Sequence, residues 1–81
     1  MPVQFPSMRG RGLLAVLQRS PLSYAIVRQR GSHRHMRSEA GYPDLLFSFH
    51  DQQEIRPRVV RDILTKDVGL SEDQALEVLR G

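Results

Sequence analysis

The chain has 81 residues and a formal net charge of +3, unevenly spread: residues 1–38 hold seven arginines and no acid, whereas residues 39–81 hold five basic and nine acidic residues. A domain this small buries only about 60–65% of its unfolded surface, and the absence of cysteine excludes disulfide staples, thiolate catalysis and cysteine-based zinc sites. No segment approaches the roughly 20 apolar residues that span a bilayer, and Met1–Pro6 lacks the basic start and apolar run of an export signal, so the expected compartment is the cytoplasm.

Pro2 and Pro6 predict an extended lead-in over residues 1–7, with a single domain over 8–81. Ser7 is the expected cap of a first helix, in which Leu13, Val16 and Leu17 recur at i, i+3 and i+4 before Pro21 ends it. Gly10 and Gly12 weaken the start of that helix. From Tyr24 to Arg30 the chain reads as a strand in which Tyr24, Ile26, Arg28 and Arg30 alternate with Ala25, Val27 and Gln29. Gly31 then reverses it.

Two further strands are predicted over about His33–Arg37 and Asp44–His50, joined by a turn at Ala40-Gly41-Tyr42-Pro43. Centring that hairpin between Gly41 and Tyr42 sets His33 opposite His50, His35 opposite Ser48 and Arg37 opposite Leu46. The polar set then shares one face, and Met36, Leu45, Phe47 and Phe49 share the other. On this register His33 and His50 have β-carbons about 4.5–5.5 Å apart. Pro57 suits the first turn of a second helix whose buried stripe is Val60, Ile63, Leu64 and Val68, ended by Gly69. Arg58, Asp62 and Lys66 fall on its solvent side, and Ser71 with Gln74 forms a capping box for a short third helix through Leu76 and Leu79. The resulting fold class is α+β, with helices covering the aromatic face of a small three-stranded antiparallel sheet.

The stretch most informative about chemistry is Arg28-Gln29-Arg30-Gly31-Ser32-His33-Arg34-His35. Imidazole is the side chain that moves protons near neutral pH, and guanidinium forks hold phosphate oxygens in pairs. Their combination points to an anionic polymer. The three histidines have no matching carboxylate motif, so no metal or other cofactor is expected. RNA is cleaved without metal when a base takes the proton of its 2′-hydroxyl, donors neutralise the phosphate, and an acid protonates the leaving 5′-oxygen. On this reading His33 is the base and either His50 or His35 the acid. Arg28, Arg30 and Arg34 are candidate phosphate ligands, Ser32 and His35 further RNA contacts, and Arg56 and Arg58 an anion site at a helix start.

Val27-Arg28-Gln29-Arg30-Gly31-Ser32-His33 is similar to the V-R-Q-x-G-S-H of the HicA toxins, the messenger-RNA interferases of HicA/HicB toxin–antitoxin pairs. Glu54-Ile55-Arg56-Pro57 followed by Arg61-Asp62-Ile63-Leu64 resembles that family's E-L-K-P and R-x-I-L, and Gly69-Leu70-Ser71 resembles its closing G-L-S, so the likeness spans about residues 8–76. The chain departs from the family at Ser38-Glu39-Ala40-Gly41, where the usual turn is H-P-D-G, and at Arg58-Val59-Val60, where it is G-T-L. The resemblance implies a double-stranded-RNA-binding-domain-like fold, an endoribonuclease that inhibits translation and growth, and a HicB-type antitoxin as partner. It sets His33 at the family's catalytic histidine and His50 at a histidine frequent after the third strand. Two other functions fit the basic face: a non-catalytic RNA-binding module, and a protein-interaction domain docking an acidic partner. A DNA reader fits less well, because the second helix alternates charges.

Overall fold

In the computed structural model, which describes residues 4–81, the chain enters through a two-residue strand, β1 (Met8–Arg9), and turns directly into helix α1 (Gly10–Gln18). Strands β2 (Tyr24–Arg30), β3 (His33–Ser38) and β4 (Leu45–Phe47) follow, then a second two-residue strand, β5 (Glu54–Ile55). Helix α2 (Pro57–Asp62) continues into a wider π-helical turn over Ile63–Asp67, and α3 (Glu72–Arg80) closes the chain. The three longer strands form an antiparallel sheet in the order β2-β3-β4, and β1 pairs antiparallel with β5 in a separate ribbon. The expected α+β class and three-stranded sheet are thus present. Residues 1–3 of the proposed lead-in lie outside the described residues, whereas Phe5 is buried and belongs to the core.

The core lies between one face of the sheet and the helices. Leu13, Val16 and Leu17 of α1, Tyr24, Met36, Leu45 and Phe47 of the sheet, and Val60, Ile63, Leu64 and Val68 of the second helical segment are all buried. Three-to-four-residue spacing on the helices and two-residue spacing on the strands bring these side chains to one side. Phe49 packs on the edge of this core, its ring centroid 5.3 Å from that of Phe47. Tyr24 is held by its hydroxyl, which donates to the Pro43 carbonyl at 2.6 Å. Burial first, and the Asp44 carboxylate second, push this phenol up to about 12.

The helix boundaries follow from local chemistry, with one correction. Ser7 does not cap α1; Arg9 occupies the cap position and makes no side-chain cap bond. The first amides of the helix instead donate to a neighbouring loop, Gly10 to the Gln53 carbonyl at 2.8 Å and Arg11 to the Asp51 carbonyl at 3.0 Å. That contact requires glycine, because a β-carbon on Gly10 would stand 2.1 Å from the His50 carbonyl oxygen. At the other helices the expected devices are in place. Pro57 opens α2, Gly69 at φ +94° follows its last turn, and the Leu70 amide reaches back to the Leu64 carbonyl at 3.0 Å. Ser71 and Gln74 form a reciprocal capping box on α3. On that helix Ala75 and Val78 carry the buried positions, with Leu76 and Leu79 only partly covered.

Candidate functional site

The β2–β3 hairpin turns in two residues, Gly31 and Ser32, with Gly31 at φ +60°, which a residue without a β-carbon adopts freely. This sets Arg30 opposite His33, Gln29 opposite Arg34 and Arg28 opposite His35. Further from the turn, Ile26 faces Met36 and Tyr24 faces Ser38, and Val27 is the extra residue of a β-bulge between the two registers. The bulge decides the site. Uninterrupted alternation would set Arg28 and Arg30 on the buried side with Tyr24 and Ile26, but one added residue turns both guanidiniums onto the open side.

His33 and His35 are two residues apart on β3, hence about 7 Å along the strand and on one face. With Arg28 and Arg30 facing them, the four side chains line an open depression of about 350 Å³. All four are exposed. Among the described residues, none of the four takes part in a side-chain hydrogen bond or ion pair with the rest of the protein. Other arginines are engaged, Arg9 with Gln52, Arg19 with the Val78 carbonyl, Arg37 with Asp44, Arg61 with Glu72 and Arg80 with Glu77, whereas Arg11, Arg56 and Arg58 make no side-chain hydrogen bond or ion pair among the described residues.

Several site residues expected from the sequence fall elsewhere. Strand β4 is only three residues long, so it does not extend to His50, and its register sets Met36 opposite Leu45, His35 opposite Leu46 and Arg34 opposite Phe47. His33 is therefore not the cross-strand neighbour of His50. The reversal is centred between Ala40 and Gly41: Gly41 takes φ +93°, its amide donates to the Ser38 carbonyl at 3.3 Å, and the Ala40 amide donates to Ser38 Oγ at 3.0 Å. His50 sits in the loop against α1, where its amide donates to Gln53 Oε1 at 3.2 Å.

Arg34, a candidate phosphate ligand in the sequence, is turned away from the depression. It points to the side opposite His33 and His35, its guanidinium donating to the Phe49 carbonyl at 3.1 Å and to Asp51 Oδ1 at 2.9 Å, with 11% of the side chain exposed. Ser32 occupies the hairpin turn beside the depression without lining it, and Arg56 and Arg58 stand exposed at the start of α2, also outside its lining.

A second depression, of about 400 Å³, adjoins the first and shares Arg28 and His35 with it. Its further lining includes Val27, Leu46, Arg37 and Asp44, none of which sequence reasoning singled out. An apolar residue on the polar face of a strand, as Leu46 is, was the available signal. Compared with known proteins, the chain matches no family model, no curated protein and no solved structure. Among the described residues, no three His, Cys, Asp or Glu side chains are grouped to hold a metal ion.

Proposed function

We propose that the protein is an endoribonuclease of the HicA type, a toxin that cuts messenger RNA through the imidazoles of its open sheet face. The observation that carries this reading is the convergence of His33, His35, Arg28 and Arg30 on one depression, all four exposed and, among the described residues, in no side-chain hydrogen bond or ion pair. Arg28 and Arg30 bind the scissile phosphate and neutralise the charge that grows on its oxygens. His33 removes the proton from the 2′-hydroxyl, whose oxygen forms a bond to phosphorus as the bond from phosphorus to the 5′-oxygen breaks. His35 gives its proton to that leaving oxygen. The products are a 2′,3′-cyclic phosphate and a 5′-hydroxyl, and the two histidines have exchanged protonation states. His35 takes the acid role because it shares the face and the depression with His33, whereas His50 lies beyond the end of β4.

A HicB-like antitoxin, implied by the sequence resemblance, acts by covering this face, and its acidic groups meet the unpaired arginines. The mechanism is tested by the ends of the fragments. Single-stranded RNA incubated with the purified protein should yield cyclic phosphate and 5′-hydroxyl termini, and replacing the ribose at a cut position by 2′-deoxyribose should abolish that cut. Fragments carrying 3′-hydroxyl and 5′-phosphate ends would overturn it.

A further inference from the structure

The second depression differs from the first in its lining. The first depression is lined by arginine and histidine alone, whereas this one carries a carboxylate, Asp44, beside Arg37, with Arg37 Nη2 3.4 Å from Asp44 Oδ2. Its walls include Val27 and Leu46, the two large hydrophobic side chains most exposed among the described residues, at 56% and 49%. The bulge that turns Arg28 outward also leaves Val27 on the surface, and the β3–β4 register sets Leu46 opposite His35. Apolar walls with one donor and one acceptor at the end suit a flat ring with a polar edge.

The geometry points to a guanine subsite: this depression receives the base of a nucleotide adjoining the phosphate held by Arg28 and Arg30. The inference rests on the RNA-cleaving reading of the first depression. Guanine presents one acceptor, O6, next to two donors, N1–H and N2–H, along its pairing edge. A guanidinium beside a carboxylate is the matching set, with Arg37 donating to O6 and Asp44 accepting from both nitrogens. Uracil offers an acceptor and one donor, followed by a second acceptor that faces the carboxylate. Cytosine and adenine present an amino group where O6 stands in guanine, which meets Arg37 unfavourably. The existing pair between Arg37 and Asp44 is exposed on both sides, so its rearrangement around a base costs little.

The test uses the full-length protein and single-stranded heptanucleotides of uridine, 2′-deoxy throughout to prevent cleavage, with the central base varied among guanine, adenine, cytosine and uracil. Fluorescence anisotropy should show the guanine oligonucleotide binding about tenfold more tightly than the others, the effect of one well-made bidentate contact. Asp44→Asn, which leaves a compact exposed side chain, should erase most of that preference by weakening the guanine oligonucleotide towards the other three, whose affinity rises slightly through the lost negative charge. His33→Ala should leave the preference intact. Equal affinities for the four bases, or a guanine preference that Asp44→Asn does not change, would overturn the subsite with RNA binding still in place. Absence of binding to every oligonucleotide, and of cleavage of the all-ribose guanine version, would overturn both the subsite and the RNA-cleaving reading.

Discussion

Arginines on this chain divide by what they touch, and the division predicts opposite phenotypes for neighbouring positions. Arg34 is tied to the Phe49 carbonyl and Asp51, so Arg34→Ala should lower unfolding free energy by about 1–3 kcal/mol, the worth of charge-assisted hydrogen bonds. Urea denaturation checks this. Arg30→Ala removes no side-chain hydrogen bond or ion pair and should leave the denaturation midpoint nearly unchanged while weakening RNA binding. Tyr24 supplies a pH dependence of known sign. Its folded pKa of about 12 lies above the ordinary value of 10.0, so its contribution to stability is complete below about pH 10 and is lost as pH rises towards 12. In a Tyr42→Phe variant, where Tyr24 is the remaining tyrosine, phenolate absorbance should appear only near pH 12, and with it the loss of folded signal. Ionisation near 10 with the fold intact would contradict the buried Tyr24–Pro43 hydrogen bond.

Between elements, two glycines two residues apart on α1 make a sharper comparison. Gly10 has no room for a β-carbon beside the His50 carbonyl, whereas the nearest heavy atom to a β-carbon at Gly12 is the flexible end of Met8 at 3.7 Å. Gly10→Ala should therefore destabilise by roughly 1–3 kcal/mol through overpacking, and Gly12→Ala should stabilise by about 0.5–1 kcal/mol through helix propensity. Equal effects would contradict the docking of α1 on the 50–53 loop. The buried faces of these elements were legible from the sequence because apolar spacing matched each element's period. The β3–β4 register was not. A slip of one residue exchanges the two faces and is excluded by the hydrophobic pattern, but the observed shift of two keeps Met36, Leu45 and Phe47 inside and His33, His35 and Leu46 outside. Only the turn chemistry of Ser38 and Gly41 separates these alternatives. The bulge at Val27 was hidden for a related reason: it is a mismatch between two strands, invisible in the alternation of either one. The β1–β5 ribbon, two residues a side, is too short to carry a pattern.

Over the whole molecule, the basic half contributes the β2–β3 hairpin and its open face, while the acidic half supplies helices and the loop that caps α1. Such a surface should bind single-stranded RNA with strong salt dependence, and Arg30→Ala should reduce the slope of log affinity against log salt by about 0.7, one phosphate contact. Histidine and arginine identities pointed to a candidate site, but which side chains share one face depended on pairing that only the folded chain displays: of the two candidate acids, His35 and not His50 lies beside His33, and Arg34 is turned away. The most direct measurement compares purified parent protein with His33→Ala for cleavage of single-stranded RNA, alongside binding of the same RNA with its cleavable positions blocked. Cleavage should fall by about 10²–10⁴-fold, the range for loss of a general base, with binding nearly unchanged. Equal cleavage by parent and variant would contradict the assignment of His33 as the residue that activates the 2′-hydroxyl.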